Sequence, residues 1–240
     1  MFPKRDRLTT VTVKQAVSHK VADGDRRTVI VMRAVSGSGK TTMSRIITST
    51  LEQAGLKVGI HSTDDFFMVE GRYKFDIMKL AAFHKQNLKN FIKDLQNDID
   101  VVICNNMNLL PWQSEPYTNA AREYGYQIIF LNFLTRGLKA HLNAQPVSLE
   151  KPDAHNLSEE LLIRLIDDFN TYNELLDKSC AINHEKHFTY VWNNDKCERE
   201  RTNLPIKHFD SDYVISIESN QYHQIKQIIG QTMLNLIREG

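Results

Sequence analysis

The residues with the clearest chemical potential lie together in one short segment rich in glycine and serine. They are Ser36, Gly37, Ser38, Gly39, Lys40, Thr41 and Thr42. Small side chains allow several backbone N–H groups of one loop to point toward the same anion. Lys40 adds a cation that can reach β- and γ-phosphates, and Thr41 adds a hydroxyl for Mg²⁺. The segment therefore predicts a nucleoside triphosphate site, with ATP and Mg²⁺ as the expected cofactors.

The flanking sequence supplies the elements that such a loop needs. Thr28–Arg33 is apolar and β-branched and predicts a buried strand, whereas Thr41–Leu51 has helical spacing. Strand, glycine-rich loop and helix in this order are the context of a Walker A motif, because the helix N-terminus adds positive potential. The alternative, a flexible surface turn that carries a lysine, does not explain this order. Ala34 replaces the first motif glycine, which matters only if that position requires positive φ.

A second group of polar residues follows the next predicted strand, Lys57–His61. Its sequence is Ser62-Thr63-Asp64-Asp65-Phe66-Phe67. Carboxylates just beyond the carboxyl end of a parallel strand lie beside the ligand crevice of such a sheet. Asp64 is the candidate general base, and Asp65 is expected to support the Mg²⁺ shell or the substrate. The alternative is a pair of turn or N-cap aspartates.

Apolar spacing predicts an amphipathic helix over Ile77–Gln96. His84 and Asn87 lie on its apolar side, at the end nearer the aspartates, and are candidate substrate contacts. The opposite face carries Lys85, Lys89 and Lys93. Such a stripe favours simple solvation over a nucleic-acid role.

A third strand is predicted over Asp100–Cys104 and is followed by Asn105–Asn108. A P-loop enzyme ordinarily places a Walker B carboxylate here, but this chain has amides, which carry no negative charge. Asn106 and Asn108 remain candidate substrate contacts.

The rest of the chain alternates predicted helices and strands. The helices are Pro111–Tyr124, Thr135–Asn143, Glu159–Asp177 and Gln221–Arg238, and the strands are Gln127–Leu131, Phe188–Trp192 and Val214–Ile217. Ala144–Asn156 is expected to be an irregular loop, and Asn193–Arg201 an exposed charged segment. The helix–loop–helix over about 135–160 occupies the place of a kinase lid.

Composition limits the class of protein. The chain has 240 residues, a net charge of +1 and three scattered cysteines. We expect a basic leader at 1–27 and a single α/β domain over 28–240. Within the leader, the short alternation at Thr9–Val13 is compatible with either an edge strand or the start of a helix. No segment has the apolar length of a membrane helix, so we expect a cytoplasmic protein without a membrane partner. The sequence identifies no protein partner.

Four blocks together resemble a known family: Arg33–Thr42, Ser62–Phe75, the His84 and Asn87 pair, and Asn105–Tyr126. The chain is similar to AAA-type P-loop kinases related to the kinase domain of phage polynucleotide kinase. Its resemblance is greatest to their small animal relatives and to the P-loop half of the myelin cyclic-nucleotide phosphodiesterase.

The resemblance implies roles for individual residues. Lys40 and Thr41 match the ATP- and Mg²⁺-binding pair, and Asp64 matches the carboxylate that activates a 5′-hydroxyl. Phe67 stands where the phage enzyme has a phosphate-binding arginine. The family's D-[DN]-T-N block aligns with Asn105–Asn108, and only Asn106 and Asn108 fit its polar pattern. The candidates for the lid's arginines are Lys151, Arg136 and Lys139.

The expected architecture is a three-layer α/β/α P-loop domain with a five-stranded, mainly parallel sheet and a helical lid. The expected activity is ATP-dependent phosphoryl transfer to a hydroxyl, either a polynucleotide 5′-end or a small metabolite. Two alternatives remain open. One is a nucleotide-bound switch or adaptor with little catalysis, and the other is a different ATP-dependent transfer, such as nucleotidyl transfer.

Overall fold

The computed structural model describes residues 11–15, 26–135, 137–149, 157–176, 189–193, 198–202, 208–217 and 222–239. The strands are β1 Val11–Gln15, β2 Thr28–Arg33, β3 Val58–His61, β4 Met68–Val69, β5 Arg72–Tyr73, β6 Val101–Cys104, β7 Gln127–Phe133, β8 Thr189–Asn193, β9 Glu198–Thr202 and β10 Tyr213–Ile217. The α-helices are α1 Lys40–Gln53, α2 Ile77–Gln96, α3 Pro111–Glu123, α4 Leu138–Leu149, α5 Glu159–Thr171 and α6 Tyr222–Glu239. Short 3₁₀ helices cover Thr63–Phe67 and Asn173–Leu176.

The main sheet has the strand order β1-β10-β7-β2-β6-β3. The five strands from β10 to β3 are parallel, and β1 pairs antiparallel with β10 at the edge. The expected five-stranded parallel sheet is confirmed, and of the two alternatives near Thr9–Val13 the structure shows the edge strand. Because β2 is central and parallel to both neighbours, the loop that follows it emerges in the middle of the sheet's carboxyl edge.

Helices cover both faces of this sheet, which explains why β2 is buried along its whole length. Val29 and Val31 face the core shared with α2, α3 and α5. Ile30 and Met32 face the core shared with α1 and α6. The alternation of these side chains across the strand produces the three-layer α/β/α architecture.

The region predicted to form a lid departs from its expected helix boundaries. The helix predicted over Thr135–Asn143 begins later, at Leu138, because Gly137 has φ 82° and stands outside helical geometry. The same helix continues to Leu149, so the loop expected from Ala144 was wrong in its first part. Leu138 and Leu142 pack on the core, and this packing outweighs the weak local pattern.

Two further boundaries differ downstream. α5 ends at Thr171 instead of Asp177, because the chain tightens into the 3₁₀ turn Asn173–Leu176, which buries Leu175 and Leu176. β8 pairs with β9 in a separate two-stranded hairpin, and β9 takes up the last part of the charged segment. Within the residues that the structure describes, no helix is long and apolar enough to cross a membrane.

Candidate functional site

The glycine-rich loop begins where β2 ends. Ala34 and Val35 are fully buried, and the backbone N–H of Ala34 donates to the carbonyl of Met107 at 3.0 Å. Gly37 and Gly39 have φ of 78° and 87°, which only glycine adopts without strain. Ala34 is not among the positive-φ residues, so the alanine at the first motif position is compatible with the loop. The Walker A segment therefore has the backbone geometry that its sequence requires.

Lys40 opens α1 directly behind the loop, with Gly39 as the N-cap residue. Desolvation lowers the pKa of the Lys40 ammonium, and the negative charge of Asp64 opposes that shift. The two residues come from different loops, at the carboxyl ends of β2 and β3, and their charges interact. Thr41 and Thr42 are exposed in the first turn of α1, whereas Ser38 is buried in the loop.

The aspartates lie on the 3₁₀ helix Thr63–Phe67 at the carboxyl end of β3. Asp64 and Asp65 are both exposed. The hydroxyl of Tyr73, in the short β4–β5 hairpin, donates to Asp64 Oδ1 at 3.5 Å. Desolvation and the charge of Asp64 both raise the pKa of Tyr73, so its hydroxyl keeps its proton and serves as a donor.

His84 and two asparagines lie beside or behind the aspartate turn. Thr63 Oγ1 lies 3.0 Å from His84 Nδ1, and desolvation lowers the pKa of His84 against the opposing charge of Asp64. The N–H of Thr63 donates to Asn106 Oδ1 at 2.9 Å. The amides of Asn106 and Asn87 both donate to the hydroxyl of Tyr117, at 3.1 and 2.9 Å. Asn87 and Asn106 thus bond within the protein, behind the aspartate turn.

Asn108 is buried farther along the same loop. It has φ 49°, and its amide donates to the carbonyl of Met32 at 2.8 Å. This bond ties the loop after β6 to the strand that precedes the Walker A segment. The nearby Cys104 is buried as well, and burial raises the pKa of its thiol to about 12, which makes it unreactive at neutral pH.

Asn105 occupies the position of the expected Walker B carboxylate. It is 4% exposed, and its backbone N–H donates to the carbonyl of His61 at 2.8 Å. Its Oδ1 is buried and has no hydrogen-bond partner within the described residues. The amide oxygen of Asn105, the hydroxyl of Thr41 and the carboxylates of Asp64 and Asp65 are oxygen groups of the kind that bind Mg²⁺ directly or accept hydrogen bonds from its bound water. The residues present therefore fit a Mg²⁺-nucleotide.

Of the three residues predicted to belong to a lid, one lies in the part of the chain that the structure describes. Lys139 is exposed in the first turn of α4, while Arg136 and Lys151 lie outside the described residues. A residue that the sequence did not single out, His141 of α4, is buried and reaches the carbonyl of Ser36 at 3.1 Å. Tyr73 was also missed. An aromatic residue shortly after the Asp-Asp-Phe-Phe run was the available signal for Tyr73, whereas His141 had none.

The architecture and the loop together define a three-layer α/β/α P-loop fold. Among the solved structures that share this fold are the following two. A candidate kinase from Chloroflexus aurantiacus superposes with TM-score 0.53 and 14% identity, over 90% of this chain and 100% of that chain. Kti12 from Chaetomium thermophilum, solved in complex with ADP-AlF3, superposes with TM-score 0.54 and 12% identity, over 87% and 98%.

Among curated proteins, this chain is similar to human NEDD4-binding protein 2. The two are 26% identical over 144 residues, which is 60% of this chain and 8% of the longer protein. The chain thus matches a small part of that relative. Comparison with protein-family models finds no match.

Proposed function

We propose that the chain is a Mg·ATP-dependent kinase that transfers the γ-phosphoryl group to a hydroxyl. The observation that carries this proposal is the placement of Lys40 and Asp64 directly after β2 and β3, at the carboxyl edge of one parallel sheet, where the charge of Asp64 acts on the Lys40 ammonium. A phosphate-binding cation and a carboxylate that can accept a proton must face one space if a hydroxyl is to attack a bound phosphate. The likeness to a kinase fold supports the same reaction.

Each residue has a defined part in the proposed reaction. The loop amides and Lys40 bind the phosphates. Thr41 would bind Mg²⁺ through its hydroxyl, and Asp65 would support the Mg²⁺ shell. Mg²⁺, when bound, supplies charge neutralisation on the phosphates. Asp64 accepts the proton of the attacking hydroxyl as its oxygen bonds to the γ-phosphorus, while the bond from that phosphorus to the β–γ bridging oxygen breaks and ADP leaves.

Hydrogen bonds hold the base in place. Tyr73 donates to Asp64 Oδ1, which orients the carboxylate that would accept the proton of the acceptor hydroxyl. Thr63, the neighbour of Asp64, is fixed by Asn106 on its N–H and by His84 on its hydroxyl. This support reduces the reorganisation that proton transfer requires.

The surface beside Asp64 favours a polynucleotide acceptor over a small metabolite. The ring of Phe66 stacks on Phe83 with centroids 5.5 Å apart, and Phe75 and Met78 are exposed nearby, at 55% and 86%. Exposed basic side chains flank these groups: Arg72, Lys74 and Lys79. Aromatic side chains next to cations are the combination that binds unpaired bases and their phosphates.

The switch or adaptor is the second candidate function, and Asn105 favours it. A neutral amide at the Walker B position lacks the charge that usually holds Mg²⁺ for catalysis. Under this alternative the loop still binds nucleotide, but transfer to an acceptor is slow or absent.

Labelled ATP separates these functions. The full chain is incubated with Mg²⁺ and ATP labelled at either the γ- or the α-phosphate. The acceptors are a single-stranded oligonucleotide with a 5′-hydroxyl, the same oligonucleotide with a 5′-phosphate as matched control, and a metabolite pool. We expect γ-label on the 5′-hydroxyl oligonucleotide alone.

Each other outcome contradicts part of the proposal. Label on metabolites only would replace the polynucleotide by a small acceptor. Transfer of the α-label would indicate nucleotidyl transfer. Nucleotide binding without transfer to any acceptor would support the switch.

A further inference from the structure

The lid helix touches the glycine-rich loop through one buried side chain. His141 of α4 is 1% exposed, and its Nδ1 lies 3.1 Å from the carbonyl oxygen of Ser36. A carbonyl oxygen can only accept a hydrogen bond, so Nδ1 must carry the proton. The ring is therefore either the Nδ1–H tautomer or the imidazolium, and it donates to the loop.

This hydrogen bond fixes the orientation of one peptide group. The described residues contain no cis peptide bond, so the peptide between Ser36 and Gly37 is trans and planar. In a trans peptide the C=O and the following N–H point in opposite directions. When His141 holds the Ser36 carbonyl on the α4 side, the N–H of Gly37 must point away from α4.

Neighbouring contacts also hold α4 against the loop. A Cβ built on Gly37 would lie 3.7 Å from the Cβ of Ala144 and 3.9 Å from His141 Nδ1, so α4 lies directly against the loop. The helix is itself anchored, because Leu138 and Leu142 pack on the core cluster that contains Val35. Packing contacts of α4 with the loop and with the core therefore accompany the hydrogen bond between His141 and Ser36.

We propose that His141 is a positioning residue for nucleotide binding. By donating from Nδ1 to the Ser36 carbonyl, it turns the Gly37 N–H toward the phosphates of the bound nucleotide. The proposal rests on the proposed function, since it assigns the loop a polyphosphate ligand. It also couples the position of α4 to the loop, so that displacing the lid helix weakens phosphate binding.

The test uses calorimetric titration of the full chain with Mg·ADP. H141A should weaken binding by about two- to ten-fold, the effect of one hydrogen bond. H141N is the conservative variant, because the asparagine Nδ2 branches from Cγ as the histidine Nδ1 does, and it should restore the wild-type affinity. H141Q places its amide one atom farther and should bind as weakly as H141A. N143A, at an exposed position of the same helix, is the matched control and should bind like the wild type.

Specific outcomes would overturn the inference. Unchanged affinity in H141A would do so, and so would equal weakening in H141A and H141N, which would indicate a packing role alone. If H141A does not fold, the ¹⁵N NMR spectrum of the His141 ring in the wild type still tests the proposal. It should show a protonated Nδ1, and an Nε2–H tautomer contradicts the proposal. Failure of the wild type itself to bind Mg·ADP would instead contradict the proposed function.

Discussion

The guanidinium Nη2 of Arg33 lies 2.8 Å from the carbonyl oxygen of Phe169, in the last turn of α5. Arg33 is fully buried, and its other acceptors are the side chains of Asn132 and Asn173 and the carbonyl of Leu109. Within the described residues no carboxylate pairs with it. Burial lowers the pKa of Arg33 to about 9, so it remains charged at neutral pH. The negative end of the α5 dipole helps to compensate that charge.

Replacing Arg33 should therefore cost stability. Arg33→Met keeps apolar volume but leaves several buried acceptors unpaired, and we expect the free energy of unfolding to fall by about 2–4 kcal/mol. Urea denaturation measures the change. Arg45→Met, at an exposed position of α1, is the matched control and should leave stability unchanged. An equal midpoint for Arg33→Met and the wild type would show that the buried cation contributes no net stability.

Lys40→Ala should weaken nucleotide binding without unfolding the domain. The ammonium is desolvated at the loop, so its removal relieves an unfavourable burial in the free protein but takes a charge from the phosphates. A charge-assisted hydrogen bond contributes about 1.5–3 kcal/mol, or roughly ten- to a hundred-fold in affinity. Calorimetry with Mg·ATP measures the loss, with Arg45→Ala as the control on the same helix. Unchanged ATP affinity would contradict the Walker A assignment.

Asp64→Asn should preserve ATP binding and abolish transfer. The amide is nearly isosteric and keeps the hydrogen bond from Tyr73, but it accepts no proton, and loss of a general base costs about 10²–10⁴-fold in rate. Single-turnover transfer of the γ-label measures the rate. Asp65→Asn is the matched variant on the same turn and should affect the Mg²⁺ requirement more than the proton transfer. If Asp64→Asn turns over nearly as fast as the wild type, Asp65 is the next candidate base.

Tyr117→Phe tests the support behind the aspartate turn. Its hydroxyl accepts from Asn87 and Asn106, so its removal leaves two amides without their shared acceptor. We expect a stability loss of about 1–3 kcal/mol and a lower transfer rate at unchanged ATP affinity. Tyr124→Phe is the control, because Tyr124 accepts one exposed bond, from Gln96. Equal losses of stability and of transfer rate in the two variants would show that the Tyr117 hydroxyl has no special role.

The sequence predicted those parts of the site that depend on local pattern. The strand, loop and helix around Lys40 and the turn at Asp64 follow from residue types within a few positions of each other. Residue type alone did not distinguish an asparagine whose amide faces a ligand from one whose amide forms hydrogen bonds within the protein. Asn87 and Asn106 share Tyr117, and Asn108 bonds to Met32, which lies 76 positions away. The contact of His141 with Ser36 spans 105 positions and likewise depends on tertiary packing.

Asn105→Asp tests the departure at the Walker B position. In the free protein the new carboxylate would occupy a buried site in which the amide oxygen has no partner within the described residues, and an unpaired buried charge is destabilising. Mg²⁺ should relieve that cost, because it prefers charged oxygen ligands or the water molecules that they hold. We therefore expect a lower Tm in EDTA and a larger rise in Tm with Mg·ADP than in the wild type. Asn97→Asp, at the exposed end of α2, is the matched control for the added charge.

The same variant separates the two candidate functions by its activity. If the chain is a kinase, Asp64 and Asp65 already supply the charge, and Asn105→Asp should change the transfer rate only slightly. If it is a switch, the amide silences the site, and the variant should raise hydrolysis or transfer by a large factor. Titration of activity with Mg²⁺ in both proteins measures this difference. A loss of activity in Asn105→Asp would contradict both functions as stated, because the amide would then have to contact the substrate itself.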